Sequence, residues 1–299
     1  MSEKWTVSEP QKITFGEPVH RVKVRTMAGA VNVVAGEGPA RLEVSEVDGL
    51  PLEVALVDGE LEISYEDLHW KDFQWKALGR WIEGLRQKRR AVVSLVVPAE
   101  VDVEIGSASS DAIVSGIAGR VHANSASGGL TLVRVSGQVD ANTVSGAVEA
   151  HETSGGLKIN TVSGALTVFA GTSGALKANS VSGAMTVDLD RPAAADVELT
   201  NISGEVAVRI PAPADAQVRA DTTSGSISSS FDQLQVSGMW GAKRITGTLG
   251  AGTSRVKITT VSGSVAVLRR PDEDDAPQAD TPQDATPLAI DFQKGADEA

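Results

Sequence analysis

Residues 139–168 read VDANTVSGAVEAHETSGGLKINTVSGALTV, and they contain the unit from which most of this chain is built. The heptapeptide NTVSGAV, which starts at Asn142, returns as NTVSGAL at Asn160, and another Ser-Gly pair begins between them at Ser154. Related heptapeptides start at residues 124, 179, 200, 221 and 259. Their glycines are 18–21 residues apart, with one step of 38, and each unit contains two half-units. A repeat of this length is typical of a solenoid, in which each coil stacks on its neighbour.

Apolar and polar residues alternate within each half-unit, which is the pattern of a strand with one buried face. The first apolar column follows the glycine of the heptapeptide and comprises Leu130/Leu132, Val148/Ala150, Leu166/Val168, Met185/Val187, Val206/Val208 and Val265/Val267. The second column lies in the other half-unit and comprises Val121/Ala123, Val139/Ala141, Leu157/Ile159, Leu176/Ala178, Val197/Leu199, Val218/Ala220 and Val256/Ile258. A third column stands two residues before the glycine: Ala126, Val144, Val162, Val181, Ile202 and Val261.

These columns predict an all-β fold, a β-solenoid with two strands per coil and a period of 18–21 residues. We expect all three columns to face inward and each coil to pair with the next coil in the sequence. The corners between strands carry the repeated Ser-Gly pairs, where we expect positive φ at glycine and serine hydroxyls bonded to nearby backbone. The predicted corner glycines are Gly128, Gly146, Gly164, Gly183, Gly204, Gly225 and Gly263. One further corner position, held by Asn124, Asn142, Asn160, Asn179 and Asp221, predicts a ladder of stacked side chains.

The repeat divides the chain into five parts. Residues 1–18 are an N-terminal lead, residues 19–66 form β-strands continuous with the solenoid, and residues 91–270 are the Ser-Gly repeats. Between the two strand regions lies an insertion at residues 67–90, and a tail follows at residues 271–299. The tail has nine acids, one lysine and four prolines, a composition typical of disorder.

The insertion contains the stretch HWKDFQWKALGRWIEGLRQKRR at residues 69–90, which carries three of the five tryptophans and seven basic residues against two acids. Its apolar residues share one side of a helical wheel, which predicts an amphipathic helix. The candidate binding residues are Trp70, Phe73, Trp75, Leu78, Trp81, Ile82 and Leu85 on the apolar side, with the basic Lys76, Arg80, Arg86, Lys88, Arg89 and Arg90.

Three interpretations of this helix remain open. It covers an exposed end of the solenoid, it lies on an anionic membrane surface, or it docks in the groove of a protein partner. The end-covering interpretation accounts for the apolar side but not for the excess of cations, whereas the membrane interpretation accounts for both. The acidic tail adds the hypothesis of a salt-sensitive latch, in which the tail competes with lipid for the basic helix.

Composition excludes several classes of function. The 299 residues include no cysteine and carry a formal net charge of −12. No disulfide or thiolate metal site can therefore form, and the acidic balance argues against a nucleic-acid partner. The N-terminus, MSEKWTVSEPQKITFG, lacks the pattern of a signal peptide. We therefore expect a soluble chain in the cytoplasm, peripheral to the inner membrane face if the helix binds lipid.

The residues that could carry chemistry are sparse. There is no G-x-S-x-G motif, and His122 and His151 fall between inward residues, so they are expected to face solvent. A Ser-His-Asp site using His151 is the alternative. The nine- and ten-residue steps also resemble calcium-binding β-rolls, but the corner has no row of aspartates. We expect no enzyme activity, cofactor or metal.

The order of motifs TMAGAVNV, DGELEIS, VVPAEVDVEIGSAS and NTVSGAV resembles a bacterial β-strand-repeat domain of unknown function that is catalogued as "putative adhesin". The resemblance covers roughly residues 20–268. It implies a β-solenoid, frequently associated with bacterial envelope or envelope-stress loci, and it supplies no catalytic residues.

The sequence thus predicts a non-enzymatic scaffold or interaction protein, with an unknown protein or an anionic membrane as partner and with end-to-end self-association of solenoids as a further option. The first alternative is an adhesin-like envelope protein, exported by a route that the sequence does not show. The second alternative is a solenoid carbohydrate-active enzyme, which would need acids and aromatics clustered on one face.

Overall fold

The computed structural model describes residues 2–66, 89–171, 175–189, 196–239 and 241–270, and every regular element in them is a β-strand. The strands form one hydrogen-bonded network of 24 strands with two walls, here called the first and second sheets, which enclose a single apolar core. The predicted all-β solenoid is thereby confirmed. The predicted helix at residues 67–90 lies outside the described residues except for Arg89 and Arg90.

The N-terminal part supplies one end of both sheets. Its strands are β1 (Ser2–Val7), β2 (Gln11–Thr14), β3 (Arg21–Ala35), β4 (Arg41–Gly49), β5 (Leu52–Val57), β6 (Glu60–Ser64), β7 (Arg89–Val97) and β8 (Asp102–Ser115). The long strands β3 and β8 pair in parallel and pass from the first sheet into the second. In the first sheet β1, β5 and β6 stack on β3; in the second, β2, β4 and β7 do so. Residues 1–18, assigned above only as a lead, thus contribute two strands.

The regular repeats follow as ten parallel strands. They are β9 (Val121–Ser125), β10 (Leu130–Val133), β11 (Val139–Thr143), β12 (Val148–His151), β13 (Leu157–Thr161), β14 (Leu166–Gly171), β15 (Ala175–Ser180), β16 (Met185–Leu189), β17 (Asp196–Asn201) and β18 (Val206–Ile210). Odd-numbered strands stack in the first sheet and even-numbered strands in the second, in register. Val139, for example, lies between Val121 and Leu157.

The C-terminal strands do not stack in sequence order. They are β19 (Ala216–Thr222), β20 (Ile227–Ser229), β21 (Gln235–Met239), β22 (Ala242–Leu249), β23 (Ser254–Thr260) and β24 (Val265–Arg269). Strand β17 pairs with β23, which pairs with β19, and β18 pairs with β24, which pairs with β20. The expectation that each coil pairs with the next in sequence is therefore wrong here. The chain skips one level and forms the hairpin β21–β22, whose strand β22 pairs antiparallel with β19. It then returns to fill the gap between β17 and β19 and between β18 and β20.

Within the repeats, the core is built mainly from the two predicted strand columns. All residues of the first and second columns are buried, from Leu130 and Val121 at one end to Val265 and Val218 at the other. The prediction that the third column faces inward was wrong. Val144, for example, is 37% exposed, and Ile202 is 49% exposed. The chain turns at these residues, and the inward position at the turn belongs to the residue before, such as the buried Thr143.

In the described part of the chain, antiparallel strands lie at the N-terminal end of both sheets and at the C-terminal end of the first sheet. The N-terminal end carries the pairs β5–β1 and β4–β2, and the C-terminal end of the first sheet carries β22 and β21. An antiparallel end strand presents a different pattern of backbone hydrogen-bonding groups from that of a parallel coil, so a further coil cannot simply continue the stack there. Covering of the stack ends is thus performed at least in part by strands.

Candidate functional site: the Ser-Gly corner

The corner that joins the first sheet to the second contains a row of asparagine amides. Nδ2 of Asn142 donates to Oδ1 of Asn124 at 3.1 Å, and Asn160 and Asn179 continue the row with bonds of 2.9 Å each. Asp221 occupies the same column in a later coil, but its carboxylate pairs with Arg219 and Arg244 instead of joining the row. The structure therefore brings four of the five predicted ladder residues together.

A hydroxyl three residues before the glycine supports six of the seven corners, and sequence reasoning did not single it out. Thr143 Oγ1 accepts a bond from the Gly146 N–H at 2.9 Å and donates to the Gly146 carbonyl at 3.2 Å. Thr161 makes the same pair of bonds with Gly164. The signal was present in the sequence as a serine, threonine or asparagine three residues before each glycine of the heptapeptides. Such side chains replace backbone partners in turns.

The corner glycines are required for a reason other than the expected one. Of the seven predicted, only Gly204 has a positive φ, of 131°. A Cβ on Gly146 would lie 2.0 Å from the carbonyl oxygen of Gly128, one coil away, and a Cβ on Gly164 would lie 2.0 Å from that of Gly146. Glycine is needed because successive corners stack too closely for any side chain. The expectation of positive φ was wrong for the other six.

The serines that precede these glycines are bonded to the neighbouring coil. The hydroxyl of Ser145 donates to the Ala126 carbonyl at 3.2 Å, and the hydroxyl of Ser163 donates to the Val144 carbonyl at 3.3 Å. The backbone N–H groups of these two serines donate to the same two carbonyls. These serines are consequently structural, as expected.

Beside the serines, the former third column forms an exposed apolar line. We call it the apolar ridge and define it as Val144, Val162, Val181, Ile202 and Val261, which are 37–49% exposed. Valine and isoleucine are seldom presented in a regular row to solvent, and contiguous exposed apolar surface marks interaction sites. The ridge is thus the candidate contact surface among the described residues.

The outer face of the first sheet is charged but internally paired. Lys158 Nζ lies 3.1 Å from Asp140 Oδ2, while Lys177 and Lys257 lie 3.1 and 2.8 Å from the carboxylate of Glu198. Hydrogen bonds from Lys257 and Lys177 lower the pKa of Glu198. Opposite charges on adjacent coils therefore hold neighbouring strands in register and leave little net charge on this face.

The outer face of the second sheet carries His151, the histidine of the alternative Ser-His-Asp site. The ring of His151 stacks on Phe169 with a centroid distance of 5.7 Å and an interplanar angle of 3°. Its Nε2 lies 3.7 Å from the Glu149 carboxylate. Within the described ranges, no three His, Asp or Glu side chains converge as a metal site.

The candidate binding residues of the insertion are only partly described. Trp70, Phe73, Trp75, Lys76, Leu78, Arg80, Trp81, Ile82, Leu85, Arg86 and Lys88 lie outside the described residues. Arg89 and Arg90 belong to strand β7, so their assignment to the helix was wrong. They pair with Gly49 and Asp48 of β4, and Arg90 Nε lies 2.9 Å from Glu46. Strand pairing with β4 thus begins two residues earlier than the charge pattern indicated.

Tyr65 lies where the insertion begins. It is 1% exposed, and burial raises its pKa to about 12, with Arg89 acting in the opposite direction. Arg25 of β3 is also buried, which lowers its pKa, and its guanidinium lies 3.5 Å from the Glu62 carboxylate. The insertion therefore starts from a corner that already holds buried polar groups.

Among the described residues there is no helix that is long and apolar enough to cross a membrane.

Comparison with known proteins identifies the architecture. The model of the family described as Toastrack DUF4097 matches residues 19–268. No curated protein matches the sequence. A solved structure of a "putative adhesin" from Bacteroides fragilis is 10% identical, with 90% of this chain and 96% of that chain covered and a TM-score of 0.42. One from Parabacteroides merdae is 11% identical, with coverage of 90% and 96% and a TM-score of 0.34. A "putative cell adhesion protein" from Clostridium sporogenes is 11% identical, with coverage of 88% and 100% and a TM-score of 0.27.

Proposed function

This chain belongs to the Toastrack DUF4097 family, and on that premise we propose that it is a non-enzymatic scaffold or interaction protein of the bacterial cytoplasm. Its β-solenoid would provide a rigid body, and its basic, tryptophan-rich insertion would hold that body at the inner face of the membrane. The proposed partner of the insertion is an anionic lipid surface.

The observation that carries the scaffold proposal is the use of the repeated polar side chains within the fold. The hydroxyl of Ser163 donates to the neighbouring coil, Asn160 donates to Asn142, and Thr161 closes its own turn. A serine that donates to a backbone carbonyl and has no base beside it is a poor nucleophile. The most abundant polar groups of the chain thus support stacking of the coils.

The membrane part of the proposal is supported by the composition of the insertion. Seven basic residues and three tryptophans stand in 22 residues of a chain whose net charge is −12. Tryptophan favours the interface of a bilayer, and lysine and arginine are attracted to anionic headgroups. An amphipathic segment of this kind binds lipid without crossing it.

A vesicle assay tests the proposal. The full chain should sediment with vesicles that contain phosphatidylserine and remain in the supernatant with purely zwitterionic vesicles. The variant Trp70→Ser/Trp75→Ser/Trp81→Ser should lose most of this binding, whereas Phe169→Ser, an exposed aromatic on the second sheet, should retain it. Failure of the full chain to bind anionic vesicles would rule out the membrane part.

Cell fractionation distinguishes the proposal from the adhesin-like alternative. A cytoplasmic scaffold is protected from protease added to intact cells, whereas an envelope surface protein is cleaved. End-to-end self-association remains a prediction as well. The outermost strands β1 and β21 each pair on one side only among the described strands, and analytical ultracentrifugation at increasing concentration would detect chains joined through such edges.

A further inference from the structure

We propose that the apolar ridge and the tip of the β21–β22 hairpin form one straight edge that lies lengthwise on an anionic lipid bilayer. This inference rests on the membrane part of the proposed function and deepens it, because it states which edge of the solenoid faces the lipid. The residues named below for this edge all lie within the described part of the chain.

The ridge is continuous from coil to coil. Backbone N–H groups of Ser163, Ser182, Ser203 and Ser262 donate to the carbonyls of Val144, Val162, Val181 and Ile202 in turn, at 2.8–2.9 Å. Each ridge residue therefore stands one strand spacing, about 4.8 Å, from the next. The five side chains from Val144 to Val261 span about 20 Å in a straight line.

The hairpin tip continues this line. Ser224 N–H donates to the Val261 carbonyl at 2.9 Å, which places Thr223 at the next level of the corner. Gly241, in the turn of the hairpin, lies beside the Thr223 carbonyl. Met239, beside this turn, is 74% exposed, the largest exposure among the large hydrophobic residues described. The edge therefore ends in a second apolar element.

The other end of the same corner is where the insertion joins the fold. The bend of β3 passes Thr26, which pairs with Ser107 of β8, and Ser107 pairs with Ser125 at the first Ser-Gly corner. Strand β6 pairs with β3 up to Val24, and β7 pairs with β3 from Ala28. The chain thus leaves β6 and re-enters β7 at the level of this bend. The tryptophan-rich sequence is attached at one end of the edge, and the hairpin tip lies at the other.

The charge distribution fits an anionic surface. The ridge is flanked on one side by the neutral Asn ladder and on the other by the exposed small residues Ala147, Ala165 and Ala184, with Glu205 as the acid in that row. Lys243 follows the hairpin tip, and the next residue, Arg244, pairs with Asp221. In a chain with 39 acids against 27 basic residues, an edge of this composition meets little repulsion from acidic headgroups.

The shape favours lipid over a rigid partner. The ridge is one residue wide and stands at a convex corner, so it offers far less than the roughly 800 Å² per partner of a stable protein interface. A bilayer interface deforms around a narrow apolar edge and accepts partly exposed valine and isoleucine side chains. Shallow insertion along the whole edge therefore suits this geometry.

Site-specific probes test the inference directly, because the chain contains no cysteine. Single cysteines at Val144, Val162, Ile202 and Met239 would carry the polarity-sensitive fluorophore NBD, with Ile113→Cys, 43% exposed on the outer face of the second sheet, as control. Phosphatidylserine vesicles should shift the emission of all four edge probes to the blue and leave the control unchanged. A response at the control as large as at Val162 would overturn the inference. So would a response confined to Met239, since the solenoid would then stand upright.

An affinity comparison gives a second readout. Val162→Ser/Val181→Ser/Ile202→Ser should weaken vesicle binding by about tenfold or more. The matched control Val34→Ser/Ile113→Ser/Phe169→Ser removes side chains of similar exposure, 38–43%, from the second sheet and should bind as the parent does. Unchanged binding by the folded ridge variant would refute the edge while leaving the membrane function intact. Absence of binding by the parent chain would instead refute the membrane function itself. If either variant unfolds, the cysteine probes still decide the question.

Discussion

The side-chain amide of Asn160 donates to Oδ1 of Asn142, one coil away, at 2.9 Å, and its own oxygen accepts from Asn179 at 2.9 Å. Asn160 therefore links three coils through one residue. Within the ladder, Asn142, Asn160 and Asn179 each donate to the asparagine of the neighbouring coil, and the amide of Asn124 at the end pairs with His122. Removal of one member affects both neighbours.

The variant Asn160→Ala should lower the free energy of unfolding by about 1–2 kcal/mol, because it leaves a donor on Asn179 and an acceptor on Asn142 without partners in a half-buried site. Chemical denaturation measures the change. Asn160→Thr is the control, since threonine occupies the same column at position 200, and it should cost less than alanine. Equal losses for both variants would mean that the ladder does not contribute.

The variant Gly146→Ala should be far more harmful than most glycine substitutions. The new Cβ would lie 2.0 Å from the Gly128 carbonyl oxygen, and two stacked corners would have to separate. We expect a loss of about 3 kcal/mol or more in the free energy of unfolding. Gly156→Ala is the matched control, because no atom lies within 4 Å of its added Cβ. The control should stay within about 0.5 kcal/mol of the parent.

The single tyrosine of the chain permits a direct pKa measurement. Burial raises the pKa of Tyr65 to about 12, so phenolate absorbance near 295 nm should develop well above pH 10 in the folded protein and near pH 10 in denaturant. Since the neutral phenol is favoured by folding, its contribution to stability is complete below the unfolded pKa and is lost as pH rises towards 12. A native midpoint near pH 10 would show that Tyr65 is exposed.

The ion pairs of Glu198 should make the stability of the fold depend on pH in the acid range. Its pKa is lowered by hydrogen bonds from Lys257 and Lys177, so it stabilises the fold above the ordinary value of 4.5 and loses this effect as pH falls through the lowered value. The effect is small, since the group is substantially exposed and screened by salt. Glu198→Gln should reduce stability at pH 7 and converge with the parent once the pH has fallen below the lowered pKa of Glu198. A difference that persists undiminished to the lowest pH at which both proteins stay folded would contradict the role of the ion pairs.

The latch hypothesis concerns the tail, which lies outside the described residues. A chain that ends at Arg270 should bind phosphatidylserine vesicles more tightly than the full chain at low salt, because the tail of nine acids no longer competes for the basic insertion. The difference should shrink as salt is raised. Equal sedimentation of both chains at low salt would eliminate the latch.

Much of the fold was accessible from the sequence because alternation of residue type reports directly on burial. Leu157 and Ile159 could be assigned to the core with no structure, since each repeats a pattern seen in every coil. The same reasoning failed at Val144, because it assumed that the inward–outward alternation of the strand continues through the corner. The inward position there passes to Thr143, whose hydroxyl is bonded to the turn it closes.

The order of the last coils could not be read from the repeats. Val197 of β17 pairs with Val256, yet Val218 would have presented a similar side chain to it. Because every coil offers equivalent columns to its neighbours, residue type does not specify which coil lies adjacent. The apolar ridge could not be predicted either, because its residues belong to the third column, which was expected to face inward.

The insertion of β23 and β24 beneath β19 and β20 affects how the molecule comes apart. A solenoid stacked in sequence order can lose its final turn by peeling, one level at a time, from a free terminus. Here the last strands of the described chain are clamped between two levels, so release of the C-terminal segment requires breaking contacts above and below it. Pulling on that terminus should therefore meet a single large mechanical barrier rather than a series of small ones.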